Sequence, residues 1–179
     1  MPSKRTDRKP KTARPPLDPA LLREVALRYV ERYQTSRARL SRFLRQKIRQ
    51  RGWAEGIAPP DPDALADQMA ALGYVDDQAF AESRARDMAQ RGLGAGRIRA
   101  SLGEYGIAEQ IRADVVEDHD PLQAAIRFAR RKRLGPFGPA SDDPRVHRRQ
   151  LAAFARAGHS FEIALRILDA ESESELSED

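Results

Sequence analysis

Asp-Pro recurs four times along this chain of 179 residues, at Asp18-Pro19, Asp61-Pro62, Asp120-Pro121 and Asp143-Pro144, each time just ahead of apolar residues spaced three and four apart. Proline holds the residue before it in the extended region that an N-cap adopts, the aspartate oxygen accepts an orphan amide hydrogen, and proline itself fits the first helical position. Each pair therefore starts a helix. Glycine closes such stretches at Gly52, Gly73, Gly92, Gly106, Gly135 and Gly158, several followed by a large apolar residue (Trp53, Tyr74, Leu93, Ile107), the pattern of a left-handed C-terminal cap. Between starts and stops run stripes such as Leu22, Val25, Ala26, Tyr29, Tyr33 and Leu40, Phe43, Leu44, Ile48, and period-two alternation is absent. The chain reads as all-α, with about nine short helices.

The glycines also mark a repeat. Gly52, Gly106 and Gly158 each close a basic second helix; 54 residues separate the first two and 52 the next two, and the ladder Ile98, Leu102, Gly106 matches Leu44, Ile48, Gly52. Three units of three helices follow, at 17–72, 73–119 and 120–170. They are flanked by a basic, proline-containing segment at 1–16 and an acidic one at 171–179, both expected to be disordered tails. Helices this short are unstable alone, so stability must come from burying the stripes, at roughly 1.5 to 3 kcal/mol per large apolar side chain.

Composition narrows the function. Lys and Arg number 32 against 27 Asp and Glu, a net charge of +5, which suits an anionic partner such as nucleic acid. Cysteine is absent, which excludes disulfides, thiolate metal sites and cysteine nucleophiles. The N-terminal stretch has no apolar core of a signal peptide, and no run approaches the roughly 20 apolar residues of a membrane helix, so a soluble, cytoplasmic protein without membrane contact is expected.

Sites of chemistry are scarce. Gly92-Leu93-Gly94-Ala95-Gly96 lacks the strand and spacing of a dinucleotide fingerprint and the Gly-Lys-Ser/Thr of a Walker loop, and reads as a flexible junction between helices. Asp76 and Asp77 precede an amphipathic helix, where carboxylates cap amides more readily than they bind a metal. His119, His147 and His159 are scattered and no catalytic triad signature is present, so neither enzyme activity, a cofactor, a metal nor a small-molecule substrate is expected. Trp53 and Tyr74 follow capping glycines, where an aromatic ring packs on a helix end rather than stacking on bases.

The segment 36–51 has no acid at all. Arg39, Arg42, Arg45 and Arg49 lie opposite its Leu40, Leu44, Ile48 stripe, and Arg37, Lys47 and Arg51 lie nearer to it. Seven unmatched cations repel one another, and Arg37 and Arg39 at the helix N-terminus oppose the dipole by roughly 0.3 to 1 kcal/mol each. The matching helix of the second unit carries Arg97 and Arg99, and the first helix of the third ends Arg127, Arg130, Arg131, Lys132, Arg133, so stacked units would present a broken basic track.

Gly73-Tyr74-Val75-Asp76-Asp77, Phe80, Arg91-Gly92-Leu93-Gly94, Ile98, Leu102 and Tyr105-Gly106-Ile107 resemble the central motif of the RecX family, regulators of the RecA recombinase. The resemblance implies three tandem three-helix repeats in an elongated, curved molecule, with those motif residues mainly structural. It also implies a non-enzymatic protein that binds RecA filaments and single- and double-stranded DNA as a monomer, without a cofactor. Such a protein would inhibit filament growth, ATP hydrolysis and strand exchange in recombination, DNA repair and the SOS response. The contact candidates are then Arg37, Arg39, Arg42, Arg45, Arg49, Arg97, Arg99, Arg127, Arg130 and Arg131. Two departures stand out: Arg39 occupies the glutamate position of a capping box begun by Ser36, and inserts lengthen the connections at 54–60 and 135–141. A helix-turn-helix transcription regulator and a helical-repeat adaptor for an acidic protein are the rival readings.

Overall fold

The computed structural model describes residues 15–176. Within them the elements are α1 Pro19–Arg32, α2 Arg37–Arg51, α3 Pro62–Ala71, α4 Asp77–Gln90, α5 Ala95–Glu104, α6 Glu109–Glu117, α7 Pro121–Lys132, α8 Pro144–Ala157 and α9 Phe161–Asp169, with 3-10 turns at Gly135–Phe137 and Ser174–Leu176. The extended element among the described residues is an isolated bridge between Leu17 and Trp53. The protein is all-α.

All four Asp-Pro pairs start helices by the expected chemistry. Asp18 accepts from the Leu21 amide, Asp61 from those of Asp63 and Ala64, Asp120 from Gln123 and Asp143 from Arg145. At the other ends Gly52, Gly73, Gly92, Gly106 and Gly158 all adopt positive φ. The exception is α7, where the expected stop is Gly135. The helix closes two residues earlier on Arg133, left-handed at φ 54°, and Gly135, also at positive φ, opens the 3-10 turn instead.

Three hydrophobic clusters form, one per helix triplet. Leu17, Leu22, Leu40, Leu44 and Met69 centre the first, Phe80, Ile98, Leu102 and Val115 the second, and Phe128, Phe154, Ala164 and Ile167 the third. Val75, placed in the second unit by the sequence, is buried in the first core because Tyr74 turns back by donating its amide to Met69.

Three expectations about side chains and tails are corrected. Tyr33, assigned to the apolar stripe of the first helix, is 50% exposed, and Tyr74, expected to pack on a helix end, is 51% exposed. In both cases the backbone cap forms without the ring. Trp53 differs: it packs against the first core and donates its indole N–H to the Ala58 carbonyl at 3.0 Å. The acidic segment from 171, expected to be disordered, is ordered as far as 176: Leu176 is 2% exposed and belongs to the third core. Leu176 and an ion pair from Glu173 to Arg130 dock it. Residues 177–179, like 1–14 of the basic segment, lie outside the described residues.

Candidate nucleic-acid interface

The second helices of the three triplets meet end to end. At the C-terminus of α8, the carbonyls of Ala157 and Gly158 accept from the amides of Gly94 and Gly96 at the start of α5, at 2.9 and 3.0 Å. At the C-terminus of α5, the Tyr105 carbonyl accepts from the hydroxyl of Ser36, the N-cap of α2, at 2.6 Å, and the Glu104 carbonyl from Arg42 at 3.0 Å. In each joint the electropositive start of one helix meets the electronegative end of another, and orphan carbonyls find donors: backbone amides at the first joint, the Ser36 hydroxyl and the Arg42 guanidinium at the second.

These joints require glycine. A Cβ on Gly94 would lie 2.3 Å from the Gly158 carbonyl oxygen, and one on Gly158, at φ +87°, would lie 2.2 Å from the Arg97 nitrogen. The Gly92–Gly96 segment, expected as a flexible junction, is therefore a backbone-to-backbone docking surface. His159 completes it, its Nε2 3.1 Å from the Gly92 carbonyl and its ring packed against Phe128 and Phe154.

The carboxylate pair is divided between two helices. Asp76 accepts from the Ala79 amide at 2.9 Å and caps its own helix. Asp77 reaches the first triplet and accepts from the Arg37 amide at 2.8 Å. Together with Ser36, which accepts from the Arg39 amide at 3.2 Å, it satisfies two of the orphan amides at the start of the helix. The start of α2 is thus capped by a neighbouring unit.

The cations of α2 are less unmatched than the sequence suggests. The acids come from α3: Arg37 pairs with Asp67 at 3.0 Å, and Arg45 pairs with Asp63. The Asp63 carboxyl is held below its usual range, first by a hydrogen bond from Ser41 and then by the Arg45 and Arg37 charges, with desolvation opposing. Both pairs are exposed and screened by solvent, so a phosphate can displace the carboxylate. Arg39 lies 5.4 Å from the Tyr105 ring centroid and Arg99 3.7 Å from Glu109, while Arg49 and Arg97 carry no ion pair among the described residues.

In the third triplet the candidates chosen from sequence are mostly engaged. Arg127 donates to the Ala89 carbonyl at the end of α4 at 3.1 Å, and Arg130 pairs with Glu173; Arg131 is exposed. The end-to-end joints link α8, not α7, to α5 and through it to α2. Helix α8 has no acid and carries exposed Arg145, Arg148, Arg149 and Arg156, which sequence reasoning missed. The signal is present in the sequence: Gly158 matches Gly52 and Gly106, so the helix before it is the counterpart of α2. The denser cation run at 127–133 masks it.

A second feature, unseen in the sequence, adjoins α2. A groove of about 560 Å³ lies between α1 and α2, lined by Val25, Arg28, Tyr29, Arg32, Tyr33, Arg39 and Phe43. Tyr29 and Phe43 stack with centroids 4.0 Å apart, and Tyr33 leans on Tyr29 at 5.3 Å. Arg32 lies 5.6 Å from the Tyr33 centroid and Lys47 5.2 Å from that of Phe43. Among the described residues no helix is long and apolar enough to cross a membrane.

Comparison with known proteins places this architecture. A family model described as the second three-helix domain of RecX matches residues 76–116. A regulatory protein RecX of Myxococcus xanthus is 33% identical over 177 residues, covering 94% of each chain. One of Halorhodospira halophila is 34% identical, covering 76% of this chain and 80% of its own, and one of Agrobacterium fabrum is 27% identical, covering 82% and 80%. A crystal structure of regulatory protein RecX superimposes with a TM-score of 0.63 at 18% identity, covering 84% of this chain and 71% of that one, which shows the fold. With a third of its residues shared along nearly its whole length, this chain belongs to the RecX family of regulatory proteins.

Proposed function

We propose that this chain is a non-catalytic modulator of the RecA recombinase, acting as a cytoplasmic monomer. It binds RecA filaments assembled on DNA, and DNA itself, and restrains filament growth, ATP hydrolysis and strand exchange. The observation that carries this reading is the column of second helices α8, α5 and α2, joined end to end and bearing Arg145, Arg148, Arg149 and Arg156, then Arg97 and Arg99, then Arg39, Arg42, Arg45 and Arg49. A column of that kind suits a long, repetitive anion, whether phosphates or an acidic protein groove, because each unit repeats the same contact at a new position.

The test is the DNA-dependent ATPase of the cognate RecA, titrated with the full chain. The rate should fall with added protein and recover as salt is raised. An unchanged rate at saturating protein would remove the reading. A preferred duplex sequence alongside that unchanged rate would indicate a transcription regulator.

A further inference from the structure

We propose that the groove between α1 and α2 is a base-stacking subsite for single-stranded DNA, with Tyr33 as the platform and Arg28, Arg32 and Arg39 as the phosphate contacts. This rests on the DNA-binding part of the function proposed above and adds to it a site for an unpaired base.

Three observations point to that occupant. The first is composition: a single groove brings together three aromatic rings and three guanidinium groups, with Lys47 beside it. Strand binding without sequence preference combines a cationic path for the backbone with rings for the bases. The second is the exposure of Tyr33. Tyr29 and Phe43 are occupied with each other, whereas Tyr33 keeps 50% of its surface open at the C-terminal cap of α1. Its backbone amide already caps the helix through the Tyr29 carbonyl at 2.9 Å, so the ring is not needed for the turn. The third is continuity: Arg39 lines the groove and also lies over Tyr105, at the joint where α5 meets α2. A strand following the arginines of the helix column would reach the groove without a gap in positive charge.

The size fits. At about 560 Å³ the groove falls within the span of roughly 300 to 1,000 Å³ in which proteins hold small organic groups. The cations around it also favour a strand over an apolar helix. Arg28 is held by Glu24 at 2.5 Å, an exposed pair within one helix that a phosphate can open. Arg32 lies over the Tyr33 ring, an arrangement that can sandwich a base between aromatic and guanidinium planes.

The experiment compares the affinity of the full chain for an oligothymidine with that for an abasic strand of the same length and charge. Four proteins are measured: wild type, Tyr33→Ala, Tyr33→Phe and Tyr33→Leu. Stacking of one base predicts that wild type prefers the base-bearing strand by roughly 5- to 150-fold. Tyr33→Phe should keep that preference, and Tyr33→Ala and Tyr33→Leu should lose most of it with affinity for the abasic strand unchanged. Tyr33→Leu keeps an apolar side chain at the site should the alanine variant fail to fold. Equal binding of both strands by wild type, or a preference untouched by Tyr33→Leu, would overturn the subsite while leaving the arginine column standing. If wild type bound neither strand, subsite and direct DNA binding would fall together. A groove that instead took a polyglutamate peptide, with oligothymidine unable to displace it, would be a protein-docking site and would equally overturn the proposal.

Discussion

Single residues decide whether the triplets can meet. Gly94 and Gly96 both face Gly158, yet a Cβ would lie 2.3 Å from its carbonyl oxygen in the first case and 3.3 Å in the second. Gly94→Ala should therefore lower stability by roughly 1 to 3 kcal/mol through overpacking against backbone that cannot yield. Gly96→Ala, inside α5, should be near neutral, the clash being slight and alanine favouring the helix by up to about 1 kcal/mol. Thermal unfolding of the two variants checks the pair, and equal destabilisation would contradict the role assigned to the joint. His159 adds a dependence on pH. Burial holds its pKa below the ordinary 6.5, with the Gly92 hydrogen bond pulling the other way. The unfolded chain then binds the proton more readily than the fold does. Stability is full above the unfolded value and falls as pH drops through 6.5 toward the depressed folded value. His159→Gln should flatten the fall in Tm between about pH 8 and about pH 5.5. A wild type whose Tm ignores that interval would contradict it.

At the scale of elements, α2 and α8 are the informative pair. Both lack acids and both precede a glycine in the same register, Gly52 and Gly158. Arg49, Arg145 and Arg149 are exposed, with no side-chain partner among the described residues, so reversing all three to Glu removes positive charge and leaves the packing intact. That variant should keep its helical circular dichroism and bind single-stranded DNA more weakly, with the slope of log affinity against log salt shallower by roughly 0.7 for each phosphate no longer touched. An unchanged slope would mean these arginines touch no phosphate. Helix starts and ends are legible in the sequence because Asp-Pro and Gly act locally, through a cap and a left-handed turn. What the sequence hides is anything made between elements: Asp63 and Asp67 approaching the cations of α2 from α3, Asp77 capping the neighbouring unit, and Tyr29 stacking on Phe43 at the edge of the first core. The docked segment ending at Leu176 belongs to the same class. Leu176→Ala should cost about 2 to 4 kcal/mol if that docking supports the third core, read by chemical denaturation.

At the scale of the whole molecule, three small cores are tied together by hydrogen bonds at helix ends, and each joint positions one more arginine-bearing helix. The family and the fold can be read from the central motif, because its capping glycines and buried stripe are set by local turns and helical spacing. The proposed surface can be read only in part, because two of the cations on α7, Arg127 and Arg130, turn to Ala89 and Glu173, while the arginines of α8 stay exposed. The measurement that bears most directly on the central claim is the affinity of the full chain for RecA filaments on single-stranded DNA as salt is raised. A long cationic column predicts a steep, linear fall of log affinity with log salt, shallower once Arg49, Arg145 and Arg149 are reversed. An affinity indifferent to salt and to those three changes would contradict it.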